Sequence, residues 1–252
     1  MTELLQVEHL SKRYPGFALQ DVSFSVKPGH IMGLIGKNGA GKSTTLKSML
    51  NMVRPESGTV TILGKDFFRN EKECKQKIGV VFGGIDFYPL KKLSAITAVT
   101  GRFYPNWDQQ KYEGYLKQFS LDESKQLRAL SNGMKVKYLL ALALSHNAQL
   151  YLLDEPTSGL DPVSRDEILH IFTRIVKDGK RSILFSTHIT SDLDRCADDI
   201  TYIQNGRVLK SADKETFLQS FDHLKTPKDT APLTLEEIML RTEGRDLDET
   251  AL

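Results

Sequence analysis

Short runs of hydrophobic residues alternate with polar segments along most of the chain. Residues 4–10 and 18–26 alternate apolar and polar side chains over part of their length, which is the pattern of half-buried strands. Residues 31–35, 148–153 and 182–186 are instead almost continuously apolar, as in strands that are covered on both faces of a sheet. The pattern therefore predicts two kinds of strand in one chain.

The segments between the apolar strands carry helical patterns. A helix is expected over residues 43–52 and another over 162–177, and this β-α-β alternation indicates an α/β protein with a mostly parallel sheet. After a strand-like run over residues 78–82, residues 84–145 are mainly helical, with interspersed aromatic side chains. We expect one domain over residues 1–220, with this helical part inserted in it.

The last part of the chain is polar, and we expect residues 221–252 to form an extension of the domain. Two prolines favour a loose linker over residues 221–230. The sequence from Thr234 to Glu237 fits a capping box that opens a short helix ending near Arg241, and the chain end beyond it is expected to fray.

The strongest candidate for chemistry follows the apolar run 31–35. Residues 36–43 read Gly-Lys-Asn-Gly-Ala-Gly-Lys-Ser, a complete match to the phosphate-loop pattern G-x-x-x-x-G-K-[ST]. The glycines let successive backbone N–H groups point toward a triphosphate, and the following helix adds its positive end. Lys42 is expected to reach the β- and γ-phosphates and Ser43 to bind Mg²⁺. The predicted nucleotide-binding residues here are Gly36, Lys37, Asn38, Gly39, Ala40, Gly41, Lys42, Ser43 and Thr44.

A second candidate lies where the apolar run 148–153 ends in Asp154 and Glu155. Ligands of α/β proteins collect at the carboxyl ends of the parallel strands. Asp154 is therefore placed to hold Mg²⁺, and Glu155 to polarise a water molecule for attack on the γ-phosphate. Together the two motifs predict a nucleotide hydrolase or transferase.

A third candidate lies between these two motifs. The sequence Leu-Ser-Asn-Gly-Met-Lys over residues 130–135 precedes an apolar helix, and Ser131 lies 23 residues before Asp154. Ser131 is expected to be the N-cap of that helix and Gly133 to keep its backbone accessible. A capped helix start is itself a potential anion site.

With these motifs in this order, the chain resembles the ATP-binding subunits of ABC transporters over about residues 4–241. Residues 130–134 are similar to the signature motif, usually Leu-Ser-Gly-Gly-Gln, with Asn132 and Met134 as departures. Residues 154–161 match the family's Walker B motif and D-loop without a break, and His188, 34 residues past Asp154, ends a Ser-Thr-His sequence similar to the H-loop.

The resemblance implies the P-loop ATPase fold of the ABC type, with a mostly parallel core sheet, an N-terminal antiparallel β part and an inserted helical subdomain. It implies that two ATPase chains pair head to tail, each ATP lying between the phosphate loop of one chain and Ser131 and Gly133 of the other. Asp161, in the D-loop, is expected at the nucleotide as well. Glu155 and His188 are the implied catalytic residues for the hydrolysis of ATP to ADP and phosphate.

At two positions the resemblance to the family leaves alternatives for the role of the residue. Tyr14 is similar to the aromatic residue that stacks on adenine; the alternative, less favoured, is a packing residue at a strand end. After the strand over residues 78–82 the family has a glutamine that contacts Mg²⁺ and links to the membrane subunit, whereas this chain has Gly83. There are three alternatives: Asp86 substitutes for the glutamine, water fills the place of its side chain, or the step that depends on the glutamine is slower. We expect water.

Composition and charge narrow the choice of partners. The 252 residues include 34 Lys and Arg against 32 Asp and Glu, a balance that gives no reason to expect nucleic acid. Two cysteines fit a reducing compartment and exclude a disulfide-rich scaffold. No run approaches the roughly 18 apolar residues of a membrane span, and the first residues lack the features of a signal peptide. We therefore expect a cytoplasmic chain.

In the family context, the absence of a span implies a separate transmembrane permease, with this chain peripheral on the inner face of the membrane. Residues 103–108, 133–135 and 235–238 are similar to ATPases of two-component ABC-2-type exporters of drugs, peptides or antimicrobial compounds, although 103–107 could equally be a helix-packing cluster. The resemblance also implies that residues near 87–108 receive the permease.

The alternative is a cytosolic ABC-type ATPase that acts on nucleic acid or ribosomes. DNA-repair members carry a very long coiled coil between the phosphate loop and the signature, but here only 89 residues separate Lys42 from Ser131. Translation-factor members fuse two ATPase domains, and this chain has one set of motifs. We therefore expect the transport role.

Overall fold

The computed structural model describes residues 3–82, 87–227 and 229–249, with side chains as far as residue 244. The strands are β1 (Leu5–Tyr14), β2 (Phe17–Val26), β3 (Ile31–Ile35), β4 (Ser57–Ile62), β5 (Lys65–Asp66), β6 (Ile78–Phe82), β7 (Leu150–Asp154), β8 (Ser182–Thr187), β9 (Asp199–Gln204) and β10 (Arg207–Asp213). The helices are α1 (Lys42–Met49), α2 (Glu71–Lys75), α3 (Leu93–Phe103), α4 (Gln109–Gln118), α5 (Asn132–Leu144), α6 (Pro162–Val176), α7 (Thr190–Cys196), α8 (Lys214–Ser220) and α9 (Leu235–Glu249).

The strands of the described residues form two sheets. The larger sheet has the order β10-β9-β3-β8-β7-β6, and its neighbours run parallel except for β9 and β10. The smaller sheet, β2-β1-β4-β5, is antiparallel. The predicted fold, a mostly parallel α/β core with an antiparallel N-terminal part, is confirmed.

Successive residues of the central strands point to opposite faces of the larger sheet, and each face has its own hydrophobic core. Leu153 of β7 belongs to a cluster with Phe172 of α6 and residues of α5. Leu152 belongs to the other cluster, with Leu46 of α1 and Val7 of β1. Because both faces are covered, nearly every position of these strands is apolar, which explains their continuous hydrophobic runs.

The helical part between β6 and β7 is built from α3, α4 and α5. Its interior contains three hydroxyl groups in contact: Thr97 Oγ1 lies 2.7 Å from the hydroxyl of Tyr112 and 3.0 Å from that of Tyr138. These residues come from α3, α4 and α5, so one buried hydrogen-bonded group joins the three helices. No helix of the described part of the chain has the length and apolar character that crossing a membrane requires.

The C-terminal segment differs from its prediction. The loose linker expected over residues 221–230 is wrong, because Phe221 and Leu224 are buried in the core and Asp229 accepts hydrogen bonds from both terminal nitrogens of Arg241 at 2.6 and 2.8 Å. The capping box is confirmed, but α9 continues past Arg241 to Glu249. The polar contacts that hold this segment come from residues far apart in the chain, which hydrophobic periodicity does not report. The domain boundary at residue 220 stays a prediction.

Candidate nucleotide site

A cleft of about 750 Å³ lies at the carboxyl ends of β3, β7 and β8. These strands are neighbours in the sheet, so the loops that follow them meet at one edge. The cleft is lined by Gly16, Phe17, Asn38, Gly39, Gly41, Lys42, Ser43, Thr44, Glu155, Ser158 and His188. The structure thus brings most of the predicted phosphate loop together with both predicted catalytic residues.

The phosphate loop needs glycine at two positions for different reasons. At Gly36, a Cβ atom would lie 2.2 Å from the carbonyl oxygen of Ile203 on the neighbouring strand β9. Gly41 has φ +117°, which side chains with a Cβ rarely adopt, and it caps the N-terminus of α1 without a side-chain hydrogen bond. No acidic residue lies in the first turn of α1 either. The positive end of this helix therefore faces the cleft with no acidic residue of its own first turn beside it, which favours phosphate binding.

Lys42 is almost fully buried at the base of the loop. Its Nζ donates to the carbonyl oxygens of Gly36 at 2.7 Å and Lys37 at 3.3 Å, and it lies 3.7 Å from Glu155 Oε1. Burial lowers the pKa of the Lys42 ammonium below its usual value, while the carboxylates of Glu155 and Asp154 oppose that shift. A cation held among carbonyl oxygens and a carboxylate is ready to pair with an added anion.

Asp154 ends β7 and faces two hydroxyl groups. Its Oδ1 accepts a hydrogen bond from Ser43 at 3.0 Å and from Ser186 at 2.6 Å. No side chain of the described residues donates to Oδ2. The Ser43 hydroxyl and the Asp154 carboxylate are hard oxygen donors on two adjacent elements, which is the donor set that suits Mg²⁺.

Glu155 adopts an unusual backbone conformation beside Asp154. Its φ is +52°, a left-handed value that is uncommon for a residue with a side chain. The peptide N–H of Glu155 donates to both the carbonyl oxygen and the hydroxyl of Ser186, at 3.1 and 3.0 Å. These contacts hold the strained turn in place. Oε2 of Glu155 lies 2.7 Å from Nδ1 of His188, so the two predicted catalytic side chains are in direct contact in the cleft.

The predicted residues of the signature motif and the D-loop lie outside this cleft. Ser131 caps α5 by accepting a hydrogen bond from the N–H of Met134 at 3.2 Å, as predicted. Gly133 lies in the first turn of α5, where a Cβ would approach Leu160 to 3.1 Å. Asp161 caps α6, and its hydrogen bonds from Ser164 lower the pKa of its carboxyl below the usual value.

Tyr14 lies at the end of β1, with 41% of its surface exposed and Lys12 Nζ 5.6 Å from the centre of its ring. It does not line the cleft, whereas Phe17, on the other side of the same turn, does. Stacking of Tyr14 on adenine stays a prediction. Gly83 and Asp86, on which the departure from the family's glutamine rests, lie outside the described residues.

Four residues at or beside the cleft were not predicted. Gly16, Phe17 and Ser158 line it, and Ser186 supports Asp154 and Glu155 from the adjacent strand. Ser186 could have been found, because it immediately precedes the Thr187-His188 pair at the polar end of an otherwise apolar strand. In the sheet it pairs in register with Asp154.

Comparison with known proteins identifies the family. Residues 19–158 match the family described as ABC transporter. The bacitracin transport ATP-binding protein BcrA of Bacillus licheniformis is 32% identical over 228 residues, which are 89% of this chain and 72% of the relative. The Nod factor export ATP-binding protein I of Ralstonia nicotianae is 36% identical over 214 residues, 82% of this chain and 66% of that protein.

A solved structure agrees with the family match. The structure of an ATP-binding subunit of an ABC transporter superposes with a TM-score of 0.83 at 28% identity, and the match covers 95% of this chain and 99% of that chain. Fold, cleft and sequence similarity therefore agree, and this chain belongs to the ABC transporter family as an ATP-binding, ATP-hydrolysing subunit.

Proposed function

We propose that this chain powers an exporter, by hydrolysing ATP between two paired ATPase subunits that dock on a separate transmembrane permease. What supports this function most directly is the cleft, in which Glu155 and His188 are in contact beside Lys42. The names of the relatives, which include bacitracin transport and Nod factor export, support export over import. They also favour transport over an activity on nucleic acid or ribosomes.

ATP would bind with its phosphates over the N-terminus of α1. The loop from Gly36 to Thr44 presents backbone N–H groups, and the ammonium of Lys42 would turn from its present carbonyl partners to the β- and γ-phosphates. Ser43 and Asp154 would hold Mg²⁺, which neutralises charge on the phosphate oxygens when bound. On the outer side of the cleft, Tyr14 is proposed to stack on adenine, near Phe17.

Glu155 and His188 would act on the attacking water. The backbone strain at Glu155 directs its carboxylate toward Lys42 and the cleft rather than along the strand. A carboxylate in that place accepts the proton of the water as it attacks the γ-phosphate in line. His188, in contact with Glu155 Oε2, would hold the water and contact the γ-phosphate.

A second ATPase subunit would complete the site. Ser131, Gly133 and Asp161 do not line the cleft of their own chain. The first turn of α5 has no acidic residue, so its capped N-terminus is free to face an anion. We propose that these three residues contact the nucleotide bound to the other subunit, whether that is a second copy or a different ATPase.

The permease would dock on the helical part. Tyr88, Leu90, Val99 and Phe103 are large apolar residues with 53 to 68% of their surface exposed. They lie within or just before α3, in the stretch that the family resemblance assigns to the permease contact. Exposed apolar side chains grouped in this way mark an interaction surface. Docking there would place the chain at the inner face of the membrane.

Glu155→Gln tests the hydrolytic part of this function. Glutamine has the same shape but accepts a proton poorly, so we expect ATP turnover to fall by at least about 100-fold, with ATP affinity unchanged and an ATP-bound dimer accumulating. Phosphate release, ATP binding and mass by light scattering measure these quantities. Glu236→Gln, at an exposed position of α9, is the matched control. Turnover at the normal rate in Glu155→Gln would exclude Glu155 as the base.

Co-purification in detergent tests the partner. A protein with about six membrane spans should purify with the tagged chain and should be lost when Tyr88 and Phe103 are both changed to serine. Leu209→Ser, an exposed apolar position on β10, should retain it. RNA or ribosomes without a membrane protein would contradict the transport role.

A further inference from the structure

Asp192 is a buried carboxylate that neither the motifs nor the cleft account for. It lies on α7, only 1% of its surface is exposed, and it is four residues past His188. Its Oδ2 accepts a hydrogen bond from the hydroxyl of Thr157 at 2.7 Å, and its Oδ1 lies 3.9 Å from Nε of Arg165. A buried carboxylate is costly unless it is paired and hydrogen-bonded, so its partners here are informative.

The partners of Asp192 lie on the segments that carry the catalytic residues. Thr157 lies two residues past Glu155, on the segment that follows β7. Asp192 lies four residues past His188, on the segment that follows β8. Besides the hydrogen bonds from the Glu155 N–H to Ser186, two contacts between side chains therefore join these segments. The outer contact, between Glu155 and His188, is partly exposed in the cleft, with side-chain exposures of 23 and 45%. The inner contact, between Thr157 and Asp192, is buried on both sides.

The outer and inner contacts differ in whether they can persist while ATP is bound and hydrolysed. The outer contact has to rearrange when a phosphate and a water molecule enter between or beside its partners. The inner contact is shielded from solvent and does not touch the cleft, so it can persist through the cycle. It fixes how far apart the turn after β7 and the turn after β8 stand while the outer side chains move.

A third element reaches the same carboxylate. Arg165 lies on α6, one turn after Asp161, which caps that helix. Its Nε is buried and has no hydrogen-bond acceptor among the described residues, which leaves Asp192 as its nearest anionic group. Asp192 is thus hydrogen-bonded to the loop from Glu155 to Asp161 near its start, through Thr157, and faces the guanidinium of Arg165 just beyond its end.

We propose that Asp192 is a positioning residue for ATP hydrolysis, which sets Glu155 against His188 and the loop to Asp161 against the second subunit. This inference rests on the roles proposed above for Glu155, His188 and Asp161. Asp192 does not touch the nucleotide; it acts through Thr157 and Arg165. Because a displacement of 1 Å at reacting groups is enough to lower a rate by about 100-fold, loosening this contact should slow turnover without weakening ATP binding.

The test compares Thr157→Val, Thr157→Ser and Asp192→Asn in the full chain. Valine keeps the shape of threonine and removes the hydroxyl, serine keeps the hydroxyl, and asparagine keeps the shape of aspartate and removes the charge. We expect kcat to fall about tenfold or more in Thr157→Val and Asp192→Asn, with KM and the Kd for ATP within about twofold of the original. Thr157→Ser should restore most of kcat. Asp194→Asn, at an exposed position on the same helix, is the control.

Each outcome decides the inference. A fall in kcat with unchanged ATP affinity, rescued by serine, supports a positioning role. Unchanged kcat in Thr157→Val and Asp192→Asn overturns it. So does a fall that serine does not rescue and that follows only the folded fraction, measured by thermal unfolding, because a purely structural role would give that result. If the unaltered chain does not hydrolyse ATP, or Glu155→Gln hydrolyses it normally, the proposed function fails instead.

Discussion

The half of the cleft that faces α1 is made mainly of backbone, whereas the half that holds Glu155 and His188 is made of side chains. On the first side, glycines let the chain turn within van der Waals distance of β9, and peptide N–H groups and a helix end supply the positive field. On the second side, carboxylate, imidazole and hydroxyl groups contact one another at 2.6 and 2.7 Å. Backbone is suited to holding a charged ligand of fixed shape, and side chains to moving protons.

This difference predicts that ATP binding and ATP turnover can be lost separately. Changes to the backbone side should abolish ATP binding, and changes to the side-chain side should slow turnover while ATP still binds.

Gly36→Ala should have the largest effect. Its new Cβ would lie 2.2 Å from the carbonyl oxygen of Ile203, so the loop has to move away from its place over α1. We expect ATP affinity to fall by at least about 100-fold, the order expected when several charge-assisted hydrogen bonds are misaligned. Fluorescent ATP binding measures it, with circular dichroism to verify the fold. Gly114→Ala, in α4 with nothing near its Cβ, is the control. Normal affinity in Gly36→Ala would contradict the backbone role.

His188→Ala should have the next largest effect. Removal of the imidazole leaves Glu155 without its partner at 2.7 Å, and we expect kcat to fall by about 100-fold while the Kd for ATP changes by less than about threefold. Phosphate release and ATP binding are measured on the same sample. His170→Ala, exposed on α6, should behave like the unaltered chain. Equal losses of binding and turnover would break the separation.

The motif residues of the cleft were predictable from the sequence, whereas the contacts that position them were not. Lys42, Ser43, Asp154 and Glu155 stand at spacings that phosphate chemistry imposes on one loop and one strand end, so local sequence identifies them. Asp192 pairs with Thr157 across 35 residues, in a hydrogen bond that no local pattern encodes.

The C-terminal segment shows the same limit. The polar composition and two prolines predicted a loose linker, and the helix was expected to end near Arg241, because local sequence does not report polar contacts made at a distance. Glu243 of α9 accepts a hydrogen bond from the hydroxyl of Tyr202 at 3.0 Å and lies 2.8 Å from Nζ of Lys37 in the phosphate loop. These contacts help explain why α9 continues beyond the predicted end. Its capping box, a local pattern, was predicted.

Ser186→Ala should have a smaller effect than either change in the cleft. The hydroxyl donates to the Asp154 carboxylate at 2.6 Å and accepts from the backbone N–H of Glu155, so its loss removes a donor from Asp154 and one of the two acceptors of the Glu155 N–H. A hydrogen bond to a charged group contributes about 1.5–3 kcal/mol, and we expect the Mg²⁺ concentration for half-maximal turnover to rise about tenfold. A Mg²⁺ titration of ATPase activity measures this, with exposed Ser191→Ala as control. An unchanged titration would show that Ser186 does not support the metal site.

The smallest effect on the cleft is expected from a change at His146. This residue is expected to make folding stability depend on pH without affecting catalysis. Burial lowers the pKa of His146 from 6.5 to about 4, and its ring stacks on Tyr104 at 3.8 Å. Between pH 6.5 and about pH 4, His146 binds a proton in the unfolded chain but not in the folded chain. The free energy of unfolding therefore falls as the pH drops below about 6.5. At pH 5 the loss is about 2 kcal/mol relative to pH 7.

His146→Phe keeps a stacked ring and removes the titrating group. Urea unfolding at pH 7 and pH 5 should therefore show a loss about 2 kcal/mol smaller in this variant than in the unaltered chain, with kcat at pH 7 unchanged. The same pH dependence in both proteins would show that His146 is not the acid-sensitive group.

The central claim is that one side of this cleft binds ATP and the other side hydrolyses it. It is tested most directly by measuring ATP affinity and turnover on the same preparations of Gly36→Ala and Glu155→Gln. We predict that Gly36→Ala loses affinity, and that Glu155→Gln binds ATP as tightly as the unaltered chain while its turnover falls by at least about 100-fold. If both variants lost affinity and turnover in the same proportion, the two sides would not have separate roles.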